Sequence, residues 1–445
     1  MTYEKLLHIK PKPYNMMTIL QDRANMLGTK KLTIHPPVRL MPTANDNGAL
    51  GGNQINKSYT ANKHPFLFGA RMKANMWSLA ALLGLLVVGA VAQTTKEAAR
   101  NHTEVLEVVP HAQMSVARAG HQATVLPIGQ VLITGGCAGP GCSSILALAE
   151  LYDPSNHSFR VVGRMLTPRV SHAAVSLADG RVLVAGGWTS QGTTARAEVY
   201  DPTQGRFTGA DAMSVARASH VAVPLPDGRA LVIGGEVRTG VALSSAEVFD
   251  PASLRFATAN GMQTPRSFHI GVRLADGRIL VAGGIRAKGE VLRSAEIFDP
   301  ATGEFQPTGN MNIPRYKHAA ALLRDGRVLV VGGSDGKGER LSSTEIFDPA
   351  TGRFSPGPRL LWPRYKIPDA VVVFPSGTAL VAGGAVRLEK WDPSNREFVA
   401  VEGQLDGLRE FATASALPTG EVLILGGYDE HIRPSSLAWL VRAVR

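Results

Sequence analysis

Short apolar runs separated by turn-forming residues fill most of the chain after about residue 100. Residues 311–359 show the pattern most clearly. Their apolar runs cover residues 318–323, 328–331 and 344–347, with a fourth starting near residue 354. Asp325-Gly326 separates the first two runs and predicts a hairpin with a type I′ turn. Pro349 lacks an N–H donor and marks the end of the third run, so the stretch predicts a four-stranded antiparallel meander.

Copies of this unit recur about every fifty residues. The second strand of each copy ends in a Gly-Gly pair, and the first glycines are Gly135, Gly186, Gly234, Gly283, Gly332, Gly383 and Gly426. Six copies have Asp-Pro after the third strand, at Asp153, Asp201, Asp250, Asp299, Asp348 and Asp392. Six residues after each Asp stands an aromatic residue, namely Phe159, Phe207, Phe256, Phe305, Phe354 and Phe398. This period with four strands per unit is typical of a β-propeller.

The two ends of the repeat array complement each other. The seventh copy has its first two strands and a third at residues 437–441, but no Asp-Pro pair follows. Residues 104–109 read as a single outer strand, because Met114 follows Val108 at the spacing that separates Met165 from Phe159. We therefore expect an all-β, seven-bladed propeller whose last blade is closed by an N-terminal strand, rather than six blades with a trailing hairpin.

These motifs resemble kelch repeats, and the resemblance covers about three quarters of the chain. The resemblance implies the fold of the galactose oxidase central-domain-like superfamily. Within that superfamily the chain resembles exported bacterial kelch proteins. Phe occupies the outer-strand position where many kelch repeats carry Trp. The resemblance also implies that arginines near the channel mouth recognise acidic peptides in some relatives.

The segments before the propeller predict export. Residues 1–71 form an irregular extension, 72–92 resemble a signal peptide with Ala90-Val91-Ala92 before the cleavage point, 93–102 are a linker, and 103–445 form the propeller. Either translation starts at Met72, or residues 77–92 are an uncleaved signal anchor behind a cytoplasmic segment; a buried soluble helix is the third alternative. We expect a periplasmic, cell-surface or secreted protein, or one anchored to the membrane by residues 77–92.

The positive net charge belongs mostly to that leader. The chain has 47 Lys and Arg against 36 Asp and Glu, and residues 1–92 hold 11 of the basic and 3 of the acidic residues. The remaining 36 basic and 33 acidic residues nearly balance. A nucleic-acid-binding domain would instead show a clustered basic stripe, so no nucleic-acid partner is expected. We expect a monomer that contacts a membrane only through an uncleaved leader.

The two cysteines, Cys137 and Cys142, follow the first Gly-Gly pair in one loop. In an oxidising compartment they favour a disulfide. Free thiols or a metal site remain alternatives, although no further Cys or His lies nearby in the sequence.

The loops after the Gly-Gly pairs vary in length and chemistry, so we expect binding on the propeller face that carries them. An arginine precedes each innermost strand on that face: Arg118, Arg169, Arg217, Arg266, Arg315, Arg364 and Arg409. Five histidines follow three residues later: His121, His172, His220, His269 and His318. Third strands carry Glu150, Glu198, Glu247, Glu296, Glu345 and Glu389. These groups either pair inside the ring or present arginines to an anion.

Blades five and six depart from the small residues that follow the arginine in blades one and two. Aromatic and charged side chains predict an open cationic pocket there, formed by Arg315, Tyr316, Lys317, Trp362, Arg364, Tyr365 and Lys366, with Trp188, Asp335, Lys337 and Arg387 from loops. The alternative is that Tyr316 and Tyr365 only pack between blades.

The sequence contains no recognisable nucleophile elbow, zinc-protease, phosphate-loop or dinucleotide motif. We expect no cofactor or metal and assign no enzymatic activity. The resemblance raises two enzymes, an acidic-sugar mutarotase and a galactose oxidase. The galactose oxidase family needs a copper site of Tyr and His, a Tyr-Cys crosslink and a further C-terminal domain, whereas this sequence ends just after the seventh copy at Arg445, so that activity is the less expected of the two. Our interpretation is an exported binding or scaffold module for a protein or an acidic carbohydrate, with a carbohydrate-active propeller as the alternative.

Overall fold

The computed structural model describes residues 105–394 and 396–444. The predicted extension, leader and linker at residues 1–102 lie outside these ranges. Within the described ranges, no helix has the length and apolar character that a membrane span requires.

The described residues form seven four-stranded antiparallel sheets, which confirms the predicted blades. Blade one contains Gln122–Val125, Val131–Thr134, Leu148–Asp153 and Ser158–Arg164. Blade two contains Ala173–Ser176, Val182–Ala185, Ala197–Asp201 and Arg206–Gly209. Blade three contains Val221–Pro224, Ala230–Ile233, Ala246–Asp250 and Arg255–Ala259. Blade four contains Ile270–Arg273, Ile279–Ala282, Ala295–Asp299 and Glu304–Pro307.

The remaining blades follow the same order, with the first strand lining the central channel. Blade five contains Ala319–Leu322, Val328–Val331, Thr344–Asp348 and Arg353–Pro356. Blade six has the shortest strands, at Val371–Val373, Ala379–Val381, Glu389–Trp391 and Phe398–Ala400. Blade seven contains Thr413–Ala416, Val422–Leu425, Ser435–Ala443 and, from the other end of the propeller, Leu106–Arg118.

The closure of blade seven is as predicted, although the closing strand is longer than residues 104–109. Leu106 pairs with Ala443 and Val108 with Val441, and the register shifts between Pro110 and Gln113. Val108 is buried against blade six.

Three loops on the Gly-Gly face carry small hairpins of their own. They pair Cys137–Ala138 with Ser144–Ile145, Trp188–Thr189 with Gly192–Thr193, and Glu236–Arg238 with Val241–Ala242. Short 3₁₀ turns span Pro140–Cys142 and Ala287–Gly289.

The hairpins between first and second strands differ from the predicted type I′ turn. In blade five the Gly326 N–H donates to the Leu323 carbonyl at 3.0 Å, and the Leu323 N–H donates to the Arg327 carbonyl at 2.8 Å. Gly326 has φ 85°, but Asp325 is not among the residues with positive φ. The type I′ prediction is therefore wrong, and the turn is a three-residue loop closed by a left-handed glycine. The Asp325 carboxylate accepts a hydrogen bond from the Arg327 N–H at 3.0 Å.

The hydrophobic core lies between blades. Seven clusters of buried apolar side chains among the described residues each join two neighbouring blades, and together they close the ring. Within six blades the outer-strand Phe packs on an aromatic residue of the third strand, as Phe354 does on Phe347 with ring centroids 4.8 Å apart. Stability therefore comes from each blade covering the next.

The first glycine of each Gly-Gly pair permits this packing. Gly186 of blade two has φ 65°, and a Cβ there would lie 2.5 Å from the Arg217 carbonyl oxygen and 2.6 Å from His220 Cε1, both of blade three. Any larger residue would push the blades apart and strain the backbone. The repeated His thus packs on the preceding blade's glycine.

Candidate binding site at the channel mouth

Six of the seven repeated arginines pair with the glutamate on the third strand of the blade whose first strand they precede. The guanidinium–carboxylate distance is between 2.6 and 2.9 Å in the pairs Arg169–Glu198, Arg217–Glu247, Arg266–Glu296, Arg315–Glu345 and Arg364–Glu389, and Arg118–Glu150 is paired in the same way. None of these six arginine side chains has exposed surface. The structure therefore favours the first of the two interpretations, in which the charges hold the ring together.

Arg315 and Arg364 illustrate what this pairing does. The Nη1 of Arg315 donates to the carbonyl oxygens of Gly332 and Ser343, at 2.7 and 3.1 Å, and thereby joins the ends of two strands. Arg364 donates to the Arg387 carbonyl oxygen at 2.7 Å. Both were predicted as ligand-binding groups, but their guanidinium groups point into the blades, so we do not include them in the site.

The residue two positions after each arginine forms a continuous ring around the channel. All seven have left-handed φ between 50° and 61°, and they are Gly120, Ser171, Ser219, Phe268, Lys317, Lys366 and Phe411. The N–H of one donates to the carbonyl oxygen of its neighbour around the ring, as in Ser219 to Ser171 at 2.9 Å and Phe411 to Lys366 at 2.8 Å. In blade six the donor is displaced by one residue, because Ile367 donates to Lys317 at 3.3 Å. We call these seven residues the mouth ring.

The side chains of the mouth ring divide it into two sectors. The small sector, from blades one to three, is Gly120, Ser171 and Ser219, and the aromatic sector, from blades four to seven, is Phe268, Lys317, Lys366 and Phe411. A cavity of about 260 Å³ lies along the channel, bordered by both serines and by Phe268, Lys317 and Phe411. The cavity therefore has one polar, open side and one aromatic, cationic side.

Lys317 lies among aromatic rings from four blades. Its Nζ is 4.4 Å from the ring centroid of Phe268, and 5.7, 5.6 and 5.6 Å from those of Tyr316, Tyr365 and Phe411. These distances are within the range of cation–π attraction. The aromatic rings hold the ammonium group in place beside the cavity while leaving only a small part of the residue exposed.

Lys366 faces the loops instead and pairs with Glu410 of blade seven at 2.7 Å. Arg340, from the loop of blade five, reaches the other oxygen of Glu410 at 2.8 Å. Burial disfavours the charged form of Lys366, but the Tyr428 phenol and the Glu410 carboxylate outweigh it and raise the pKa of Lys366. Burial also raises the pKa of Tyr428. Blades five to seven are thus linked by charges across the short loop of blade six.

Asp369 brings a carboxyl group into the channel. It follows Pro368 just before the first strand of blade six, and both residues border the cavity. Its Oδ2 accepts a hydrogen bond from the Gln122 side-chain amide of blade one at 3.1 Å. Asp369 is exposed to the channel but surrounded by protein, and the resulting desolvation raises the pKa of its carboxyl group although Gln122 opposes the shift. Such a carboxyl group is suited to proton transfer.

The five repeated histidines are buried next to the mouth ring, and His121, His172, His220 and His269 also border the cavity. Burial, followed by the charge of the arginine three residues before, lowers the pKa of His121 and His269 to about 3. Burial and the charge of the preceding arginine are also the two largest causes that lower the pKa values of His172, His220 and His318, which lie well below the usual 6.5. All five are therefore neutral at physiological pH and act as packing groups between blades.

The remaining predicted residues are distributed over the loop face. Tyr365 donates a hydrogen bond to the Tyr316 hydroxyl at 2.8 Å, so the two tyrosines join blades five and six as well as flanking Lys317. The Arg387 guanidinium lies 5.8 Å from the Trp362 ring centroid, away from the cavity. Asp335 accepts a hydrogen bond from the Lys337 N–H of its own loop at 2.8 Å. Trp188 packs beside Val170 in an apolar cluster that includes both cysteines.

Several residues of the site were not predicted from the sequence. They are Phe268 and Phe411 of the mouth ring, Glu410, Asp369 and Gln122. The first two occupy the same repeat position as Lys317 and Lys366, so an alignment of the seven copies at that position reveals them. An alignment of the seven copies does not reveal that Asp369 lies in the channel.

The structure joins Cys137 and Cys142 in a disulfide. Both cysteines are buried, and they pack with Ala119, Val170 and Tyr428 on the loop face.

The Kelch motif matches three parts of the chain, residues 169–214, 268–312 and 315–361. Each stretch runs from the arginine or mouth-ring position of one blade towards the next blade. No curated protein sequence matches the chain.

Among solved structures, the chain is similar to a fungal alcohol oxidase of the AA5 family, determined in complex with copper. The two share 17% sequence identity with a TM-score of 0.59, over 76% of this chain and 75% of the oxidase. At this identity the likeness shows the fold.

The residues of the channel mouth do not fit the copper site that the galactose oxidase resemblance implies. That site needs a cysteine crosslinked to tyrosine, whereas both cysteines here are joined to each other. Within the described residues, the one grouping of three His, Cys, Asp or Glu side chains close enough to share an ion is Asp429, Glu430 and His431, in the loop after the Gly-Gly pair of blade seven. We therefore assign no copper chemistry to the channel mouth.

The Gly-Gly joints, the buried Arg–Glu pairs and the Kelch motif matches all follow the same repeat. In the structure this repeat forms a closed ring of seven blades. The chain folds as a seven-bladed β-propeller, and three stretches of it match the Kelch motif.

Proposed function

We propose that this propeller is a binding module that takes a ligand with an acidic group at its channel mouth, on the face formed by the loops after the Gly-Gly pairs. The observation that carries the proposal is the aromatic sector of the mouth ring. Four neighbouring blades place Phe268, Lys317, Lys366 and Phe411 where the small sector has Gly and Ser, although all seven positions have the same backbone conformation.

The chemistry of the aromatic sector supports this ligand class. Lys317 borders the cavity and carries a cation held by four aromatic rings. Aromatic faces with one fixed cation suit a ligand that combines an apolar face with a carboxylate. Ser171, Ser219 and Gln122 offer hydrogen bonds on the opposite side. An acidic sugar or an acidic peptide side chain has these properties.

Thermal unfolding of the full chain with a ligand panel tests the proposal. The panel contains neutral sugars, sialic and uronic acids, acidic peptides and copper. A ligand at 100 times its dissociation constant stabilises the folded state by about 2.7 kcal/mol, which raises the melting temperature measurably. We expect an increase with an acidic ligand and none with neutral sugars.

Two matched variants locate the binding. Lys317→Met keeps the apolar contacts of the side chain but removes the cation, so it should abolish the shift. Lys337→Met removes an exposed lysine from a loop of the same blade and should leave the shift unchanged. Equal shifts in both variants would place the ligand outside the aromatic sector. Melting temperatures without ligand check that both variants fold.

Asp369 favours a second candidate function, a carbohydrate-active propeller that uses an acid–base carboxyl group. Its carboxyl group lies in the channel, and desolvation by the surrounding protein raises its pKa. Asp369→Asn should then retain binding of the acidic sugar but lose turnover, measured by NMR of the sugar anomers. Turnover by the Asn variant would exclude this role.

We also propose that the propeller works outside the cytoplasm. The Cys137–Cys142 disulfide supports this, since such bonds persist mainly in oxidising compartments. Fractionation of cells that produce the full chain tests the proposal, and recovery of reduced protein from the cytoplasm alone would contradict it.

A further inference from the structure

Neighbouring blades are joined at their outer corners by a contact between the end of one outer strand and the Asp-Pro turn of the next blade. Between blades two and three, the Asp211 N–H donates to the Leu254 carbonyl oxygen at 3.0 Å. Between blades four and five, the Gly309 N–H donates to the Gly352 carbonyl oxygen at 2.9 Å. At these two junctions backbone therefore lies directly against backbone.

The junction of blades three and four is joined differently. Asn260 occupies the repeat position of Asp211, and Gly303 occupies that of Leu254. Here the Asn260 side-chain amide donates to the Gly303 carbonyl oxygen at 3.1 Å. A side chain thus takes up space between two backbone segments that are in direct contact at the junctions on either side.

A cavity of about 280 Å³ opens at this corner. Two of the residues that line it, Leu225 and Phe298, are buried members of the apolar cluster that joins blades three and four. The cavity is therefore continuous with the interface between the two blades. Among the lining residues only Arg229 is charged, and its guanidinium pairs with the Asp227 carboxylate at 2.6 Å. The cavity consequently suits an uncharged apolar group.

The repeat contains an example of such a group at the preceding junction. Leu254 has φ 58° and Gly303 has φ 72°, so the two residues share a left-handed conformation. The Leu254 side chain packs on the apolar cluster that joins blades two and three. A Cβ added at Gly303 would have no atom within 4 Å. A leucine side chain therefore fills the space at one junction, and the same space is left open at the next.

The edge of an outer strand runs beside the cavity. The strand Arg255–Ala259 contributes Ala257, Thr258 and Ala259 to the lining, and within the described residues it pairs only with Ala246–Asp250. Ala257 and Thr258 are exposed. Backbone groups on such an edge can bond an extended peptide while a pocket receives one of its side chains. A peptide can thus use both the edge and the cavity, whereas a small apolar molecule would use the cavity alone.

We propose that the junction of blades three and four binds an extended segment of a partner protein. A leucine side chain of that segment enters the cavity, and its backbone lies along the edge of Arg255–Ala259. The leucine extends the core between blades three and four as Leu254 extends the core between blades two and three. This site is separate from the channel mouth and does not depend on the proposed ligand.

Saturation-transfer NMR of the full chain tests the site with a blocked pentapeptide that has a central leucine between threonines. The same peptide with a central alanine is the first comparison. The second is free 4-methylpentanamide, which has the leucine side chain without the peptide backbone. We expect transfer to the leucine methyl groups, loss of transfer with alanine, and weaker transfer to the free amide.

Two matched variants locate the binding. Gly303→Leu copies blade three and fills the cavity, so transfer to the leucine peptide should be lost. Gly205→Leu makes the same change at the equivalent turn of blade two, where the glycine is also left-handed and a Cβ would have no atom within 4 Å. It should leave the transfer unchanged. Ala257→Arg blocks the cavity from an exposed position and keeps the test valid if melting temperatures show that Gly303→Leu does not fold.

Transfer that is absent with the leucine peptide, or that persists in the folded blocking variants, would overturn the proposal. Loss of transfer in Gly205→Leu as well would place the peptide elsewhere on the propeller. Equal or stronger transfer to free 4-methylpentanamide would assign the cavity to a small apolar ligand and overturn the proposed peptide.

Discussion

The small and aromatic sectors of the mouth ring have the same backbone and different side chains. Ser171 and Lys317 have φ values of 54° and 50°, and the N–H of each donates to the carbonyl oxygen of the preceding blade's ring residue. The hydrogen bonds therefore need nothing from the side chain, and any residue that accepts a left-handed conformation can occupy the position. The different side chains of the two sectors are therefore not determined by these backbone hydrogen bonds.

The largest effect should come from breaking a buried ion pair that every regular blade shares. Glu247→Ala leaves the Arg217 guanidinium, which has no exposed surface, without its carboxylate. We expect a loss of about 3–5 kcal/mol in the free energy of unfolding, measured by urea denaturation. Asp406→Ala, whose partner Arg409 belongs to the irregular blade seven, should lose about 1 kcal/mol or less because that aspartate is exposed. Equal losses of stability in Glu247→Ala and Asp406→Ala would show that the buried ion pair contributes no more than the exposed one.

The Gly-Gly joints should show the next largest difference. In Gly186→Ala the new Cβ would lie 2.5 Å from a backbone oxygen and adopt a left-handed φ, so we expect a loss of about 2–4 kcal/mol. In Gly383→Ala of blade six the nearest oxygen is 3.2 Å away, and mainly the strain of about 1–2 kcal/mol should remain. Thermal unfolding measures both, and a larger loss for Gly383→Ala would contradict the packing described.

Acid should destabilise the ring through its buried histidines. The pKa values of His121 and His269 fall to about 3 in the folded protein, while an unfolded histidine titrates near 6.5. Between these values the unfolded chain binds protons that the folded chain does not, so stability decreases as the pH falls from about 6.5. Each histidine contributes a slope of up to about 1.4 kcal/mol per pH unit.

A substitution that copies blade six sharpens this prediction. Ile367 replaces the histidine there, so His220→Ile should reduce proton uptake on unfolding by one. Urea denaturation at several pH values between about 7.5 and 5 measures the slope. A slope identical to that of the unmodified chain would show that His220 does not remain neutral in the folded protein.

The smallest effect is expected for the tyrosine pair that flanks Lys317. Tyr365→Phe removes the hydrogen bond to the Tyr316 hydroxyl and should lower stability by about 0.5–1.5 kcal/mol. Tyr200→Phe serves as the matched control, because the Tyr200 hydroxyl is buried without a hydrogen-bond partner among the described residues. Its removal should leave stability unchanged or slightly higher. A larger loss of stability in Tyr200→Phe than in Tyr365→Phe would contradict this prediction.

The blade count and the closure were predictable because they depend on residues that recur at a fixed spacing along the chain. Double glycines, Asp-Pro pairs and aromatics at a fixed offset define seven units, and the missing outer strand of the last unit matches the extra strand at Val108. The partners of the arginines were left open, since seven repeated Arg and six repeated Glu fit both interpretations. Only the geometry shows that the Arg315 guanidinium points inward.

Part of the grouping at the channel mouth was predictable. Tyr316, Lys317, Tyr365 and Lys366 do lie together, and they were selected for their unusual residue types. The same criterion also selected Arg315 and Arg364, whose guanidinium groups pair with glutamates inside the blades. The left-handed conformation of the mouth ring was missed, because no simple sequence rule assigns positive φ to Phe or Lys. Asp369 was missed for a related reason, since its place in the channel follows from the irregular start of blade six.

The pairing of the first and last strands also determines when the protein can be completed during synthesis. Arg442 and Glu107, whose side chains meet at 2.9 Å, are separated by 335 residues. While the ribosome adds blades one to six, the closing strand has no partner, and its unpaired edge must wait until Ser435–Ala443 has been translated. Such distant contacts make folding slow and leave open edges exposed. Loss of the final strand from a prematurely terminated chain would leave blade seven without the strand that joins its two ends.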